Sequence, residues 1–163
     1  MLKKSLFYIL GFLFSFTVHA EEKSGIYPSG CKPVSFEFLN DQLVLAKFKK
    51  NPKQRLFLIK NSGKNNIWLE HPVKNPSASA GWSSQLNIEQ WSAFALKRNN
   101  FVFACVESLP SAQQYISCQE TLIVCEMEKV TFKPENLGNY WVGENLSLEN
   151  LLATIHSRGI ELL

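Results

Sequence analysis

Apolar residues recur along this chain with a period of two over most of its length and with a helical period only near its end. Val34, Phe36 and Phe38 alternate with Ser35 and Glu37, which places three apolar side chains on one face of a strand. Asn40 and Asp41 tolerate left-handed geometry and predict a tight turn, with residues 42–48 as the returning strand. Pro52 breaks the pattern because it cannot donate to a ladder. Residues 55–60 and 66–70 predict a second hairpin around Ser62, Gly63 and Lys64. A small-residue loop at 77–81 precedes two denser runs, 91–96 and 101–106, which read as paired strands joined by Lys97, Arg98, Asn99 and Asn100. Residues 101–107 and 115–118 are expected to pair across the turn after Leu109. A dense apolar strand follows at 121–126, then short edge strands at 130–132 and 139–142.

The period then changes. Ser147 is placed to N-cap a helix on which Leu148, Leu151, Leu152 and Ile155 share a face, and Gly159 to end it in a left-handed cap. Many short strands closed by one short helix predict a mainly all-β fold, an antiparallel immunoglobulin-like β-sandwich. No repeat or linker divides the chain, so a single domain is expected over residues 21–163.

The first 20 residues carry a different message. Lys3 and Lys4 precede an apolar run over 5–18, and Val18-His19-Ala20 is a small-residue cleavage site before Glu21. That succession predicts a signal peptide over 1–20, hence a periplasmic or secreted, cell-surface protein with no membrane span after cleavage. A lipid anchor on Cys31 is not expected, because Pro28 stands where a lipid-attachment box needs an apolar residue. Cleavage leaves 143 residues, enough for one real core, with 15 basic side chains against 14 acidic ones. Near-neutrality gives no reason to expect a nucleic-acid partner.

Export changes the reading of the four cysteines, Cys31, Cys105, Cys118 and Cys125. Disulfides are the default in an oxidising compartment, and four cysteines allow three connectivities. Pairing of 101–107 with 115–118 favours Cys105–Cys118, which leaves Cys31–Cys125. The spacing does not suit a zinc site, and a blue-copper site needs a free thiol where these are expected to be oxidised, so no metal and no cofactor is expected. A thiol nucleophile would need a base, and His71 and His156 are the histidines of the mature chain. Neither is placed by sequence near Cys31, and no catalytic residue is assigned.

Two surface features remain. From 42 to 69 the chain has no acid but contains Lys47, Lys49, Lys50, Lys53, Arg55, Lys60 and Lys64. Such a run commonly blunts a strand edge, and it can equally attract an anionic partner. Among the tryptophans, Trp68 and Trp91 lie inside apolar runs and read as core. Trp82 and Trp141 lie among Gly, Ser and Asn, and join the basic residues as a candidate binding surface.

The segments SGIYPSGCKPVSFEF (24–38), HPVKNPSASAGWSSQLNIEQWSAFALKRNNFVFACVE (71–107), YISCQETLIVC (115–125) and YWVGENLSLENLLATIHSRGI (140–160) resemble the enhanced entry protein B (EnhB) family of Legionella and Coxiella. The resemblance spans nearly all of the mature chain, includes all four cysteines and rests on no catalytic motif. It implies a virulence role in host-cell entry, alongside envelope proteins with helical repeats. The expectation is therefore a non-catalytic envelope or secreted protein that binds a protein or anionic glycan partner in the envelope or on the host cell. A helical-repeat envelope protein is one such partner. The alternative is a periplasmic enzyme of peptidoglycan, or a modulator of one.

Overall fold

In the computed structural model the described residues are 26–34, 37–40, 43–47, 53–70, 83–97, 100–109 and 112–163. Among them thirteen strands follow one another as β1 (Cys31–Pro33), β2 (Glu37–Asn40), β3 (Leu43–Lys47), β4 (Arg55–Asn61), β5 (Ile67–Glu70), β6 (Ser83–Leu86), β7 (Trp91–Leu96), β8 (Asn100–Leu109), β9 (Ala112–Ile116), β10 (Leu122–Met127), β11 (Val130–Phe132), β12 (Tyr140–Leu146) and β13 (Ile160–Leu162). A four-residue helix, α1 (Cys118–Thr121), precedes β10, and α2 (Leu148–Ser157) precedes β13.

Two antiparallel sheets pack face to face. Sheet I has the order β1-β10-β4-β7-β12, and sheet II the order β2-β3-β8-β5-β6. β9 continues the line of β3 along the same edge of β8, because β3 pairs with residues 100–104 of β8 and β9 with residues 105–109. Phe57, Ile59, Phe94 and Val124 of sheet I meet Ile67, Leu69, Leu86 and Phe103 of sheet II in the sandwich core. The opposite face of sheet I is covered as well. Leu56, Leu58, Ala93, Ala95 and Val142 pack under Leu151, Ile155 and Ile160, with the β11–β13 ribbon alongside. Burial on both faces is why β4 and β7 read as unbroken apolar runs, where a half-buried strand would alternate.

The antiparallel sandwich with a C-terminal helix is therefore present, but two expected hairpins are not hairpins. β4 lies in sheet I and β5 in sheet II, and β7 and β8 divide in the same way. Each connection carries the chain from one layer to the other, so the apolar faces meet across the core instead of side by side. Only strands distant in the chain pair within sheet I. β2 and β3 pair antiparallel, while the predicted turn at 40–41 lies partly outside the described residues. The strand expected at 34–38 is described only in part, as β2, since 35 and 36 lie outside the described residues. The strand expected at 139–142 extends further, to Leu146, at one edge of sheet I.

Helix α2 forms as its sequence dictates. The Ser147 hydroxyl accepts from the Asn150 amide, and Gly159 follows at φ +71°, in the left-handed region that glycine occupies without strain. Gly143 lets the helix approach β12, since a Cβ there would lie 2.7 Å from Leu151 Cδ1.

Candidate binding surface

Both expected disulfides are formed. Cys31–Cys125 ties the short edge strand β1 to β10 and lies against the helix layer. Cys105–Cys118 ties β8 to the first residue of α1 within the sandwich core. The register places Ile116, not Cys118, opposite Cys105, and the chain must turn into α1 before the second sulfur reaches back. All four sulfurs are buried and bonded, which removes Cys31 as a nucleophile in this state. His156 is exposed on the last turn of α2, and His71 lies outside the described residues. Among the described residues no group of His, Cys, Asp and Glu side chains is placed to hold a metal ion.

The basic stretch does not form one surface. Lys47 ends β3 in sheet II, and Lys49 and Lys50 lie outside the described residues. Lys53 and Lys64 are exposed, at opposite ends of β4. Arg55 is buried, its guanidinium carbon 5.8 Å from the Phe57 ring centre, so it belongs to the core and not to the candidate surface. Lys60 is also withdrawn from it. Its ammonium pairs with Glu89 at 2.5 Å and lies 5.9 Å from the Trp91 ring centre, on the other face of the sheet from Arg55. The physical reason is that β4 is a central strand, where an edge-blunting role is impossible and cations must find partners.

Arg55 also bears on the nearest thing to a reactive group. Burial pushes the Glu126 carboxyl up, and the Arg55 charge partly offsets this. Burial likewise pulls the Arg55 guanidinium down, against the pull of Glu126. Glu126 borders a shallow cavity of about 360 Å³ lined with Lys32, Pro33 and Glu128, in which Lys32 and Glu128 form an ion pair.

The tryptophans separate by face. Trp91 is core, as expected. Trp141 is half-buried and packs edge-on against Phe94, with ring centres 4.9 Å apart, so the binding role expected of it gives way to a core-edge one. Trp82 lies outside the described residues. Trp68 departs from expectation. Ile67 and Leu69 are buried in the sandwich core, so the alternation of β5 turns Trp68 to the outer face of sheet II, where it is half-buried.

The register then assembles a row that sequence reasoning missed. Gln85 of β6 lies opposite Trp68, Trp68 opposite Val106 of β8, and Val106 opposite Tyr115 of β9. Val106 is buried, while Tyr115 is 48% exposed. Amides border the row. Gln85 Nε2 donates to Asn87 Oδ1 at 3.1 Å, Asn66 Oδ1 accepts from the Ile88 amide at 3.0 Å, and exposed Gln113 lies opposite Ser108. Glu70 is the acid two residues beyond Trp68 on this face. Two signals in the sequence pointed here: the strict alternation of Ile-Trp-Leu-Glu, and a tyrosine preceded by two glutamines. Compared with protein-family models, curated proteins and solved structures, the chain has no match.

Proposed function

We propose that this protein is exported and acts by binding, not catalysis, with the outer face of sheet II around Trp68 and Tyr115 as its recognition surface. The observation that carries the reading is the placement of two large aromatic side chains outward on a strand platform whose other face is committed to the core. Trp and Tyr supply rigid contact area at little cost in conformational entropy, which is why binding surfaces use them. Two buried disulfides fit an oxidising compartment, and no helix among the described residues is long and apolar enough to cross a membrane. The resemblance to enhanced entry proteins supports a role at the envelope that favours infection of host cells.

The test is the Trp68→Ala/Tyr115→Ala double variant, produced in its native envelope. Retention on envelope fractions and uptake by host cells should fall at least about tenfold, as expected when two aromatic anchors are lost. Far-UV circular dichroism and both disulfides should be unchanged. Full retention and uptake by the folded variant would refute the proposal.

A second reading, hydrolysis of the cell wall, is favoured by one observation. The carboxyl of Glu126 is raised by burial at the rim of a cavity, as a general acid requires. Peptidoglycan turnover by the purified protein that Glu126→Gln abolishes would establish it over the first.

A further inference from the structure

We infer that the Trp68–Val106–Tyr115 row is a platform for a neutral glycan strand, an extended 1,4-β-linked chain of uncharged pyranose rings. The inference rests on the binding reading above and names its ligand class. Adjacent strands lie ~4.8 Å apart, so Trp68 and Tyr115, two strands from each other, are separated by about 10 Å along the pairing direction. In an extended 1,4-β-linked chain successive rings are flipped, and alternate rings present the same face. Two aromatic side chains at this spacing can each take one ring, with the intervening sugar bridging between them.

Charge selects the same class. The row Gln85–Trp68–Val106–Tyr115 contains no ionisable group of the carboxylate or ammonium type, and among the described residues the acid Glu70 lies two residues beyond Trp68 on the same face of β5. A carboxylated or sulfated chain would meet that acid with no cation in the row to balance it. A neutral chain meets aromatic faces, which favour the weakly positive C–H faces of a sugar ring, and carboxamides at both ends of the row. Gln113 carries one acceptor and two donor hydrogens, and Gln85 keeps its acceptor and one donor hydrogen beside its bond to Asn87, which suits hydroxyl and acetamido groups. The anionic glycan expected from the basic stretch is thereby replaced by an uncharged one.

The experiment is titration of the mature, disulfide-bonded protein with oligomers of N-acetylglucosamine and of glucose, from one to six rings, followed by tryptophan fluorescence and calorimetry. Three rings are the fewest that reach both aromatics, so affinity should rise steeply from two rings to three and change little beyond. It should be insensitive to salt, and polyanions such as heparin should not compete. Tyr115→Ala should weaken binding of the three-ring oligomer by about tenfold, as loss of one stacked aromatic predicts. Because Tyr115 is exposed, this variant tests the platform without threatening the fold. Trp68→Ala should do the same or more, and Trp68→Phe should restore part of the affinity. Absence of binding to either series, a flat dependence on ring number, or an unaffected Tyr115→Ala variant would overturn the glycan assignment. If oligosaccharides fail while the double variant still loses envelope retention, the surface stands and its ligand is a protein. If neither measurement responds, both proposals fall.

Discussion

Replacing Asn61 should destabilise this protein more than any exposed substitution, and in a way that depends on pH. Asn61 ends β4 with a fully buried side chain. Its Nδ2 donates to the Asn65 carbonyl at 2.8 Å and the Leu86 carbonyl at 3.0 Å, and its Oδ1 accepts from the Gly63 amide at 2.9 Å. The amide orientation is dictated, since carbonyls only accept and the Gly63 N–H only donates. The side chain thus joins the crossing from β4 to β5 with the end of β6. Asn61→Ala removes three hydrogen bonds at a net of about 1 kcal/mol each, so about 3 kcal/mol should be lost. For a domain of this size that is roughly 10 °C in melting temperature. Asn61→Asp keeps the shape but turns a carboxylate toward two carbonyl oxygens. Its ionisation is disfavoured in the folded state, so its folded pKa lies above the unfolded value of about 3.9. The stability of this variant is therefore fully recovered only below that value, and is lost as pH rises through the folded pKa. Each unit of the rise corresponds to about 1.4 kcal/mol. Urea unfolding followed by tryptophan fluorescence at pH 4 and pH 7 measures both effects. An aspartate variant as stable as wild type at pH 7, or a deficit equal at the two pH values, would refute this account of Asn61.

Two further outcomes are expected. The disulfides close loops of 94 and 13 residues, so loss of Cys31–Cys125 by double alanine substitution should cost about 4.7 kcal/mol and loss of Cys105–Cys118 about 3 kcal/mol. Chemical denaturation of the two variants in parallel would show whether that order holds, and an inverted order would mean that the unfolded chain is not what the staples act on. Because burial raises Glu126, its contribution to stability is present below the ordinary carboxyl value of 4.5 and is lost as pH rises through its folded pKa. The unfolding midpoint of wild type should thus fall over that interval by an increment that Glu126→Gln lacks, and parallel profiles would contradict it.

The hydrophobic period located strands well but could not say which strands were neighbours. Residues 55–60 and 91–96 are apolar throughout because sheet I is covered on both faces, and a run of that kind carries no alternation to assign its faces. Short polar links after each run looked like hairpin turns, although they carry the chain between layers. Strand β6 was missed because Ser-Ser-Gln-Leu has little strand preference of its own and is held by pairing with β5. β1 and β13 are three residues each, too short to leave a pattern. The disulfides were legible, since the expected export and one local strand pairing were enough to favour the connectivity observed. The candidate surface was the least legible part. A tally of charges over 42–69 could not reveal that Arg55 and Lys60 sit on a central strand, pointing to opposite faces. Trp68 was hidden among apolar neighbours whose side chains point the other way.

What remains available for recognition follows from how the layers are committed. Both faces of sheet I are occupied, one by sheet II and the other by α2 and the β11–β13 ribbon. Sheet II has one face committed to the core; on the other, Gln85 and Tyr115 are exposed and Trp68 is half-buried, while Ala104 and Val106 are buried. Its long strand β8 is held on one edge by β3 and β9, on the other by β5, and from the core side by Cys105–Cys118. Val106 follows Cys105 directly and is the point across which Trp68 and Tyr115 are spaced. The short-loop disulfide therefore does more than constrain the unfolded chain, because it fixes the strand that sets the distance between the two aromatic side chains. As the proposed recognition surface, a face held this way would lose little conformational entropy when a ligand docks, and its affinity would rest on matching the spacing. The staple and the platform are parts of one arrangement, and opening the first should blur the length selectivity of the second before it unfolds the domain.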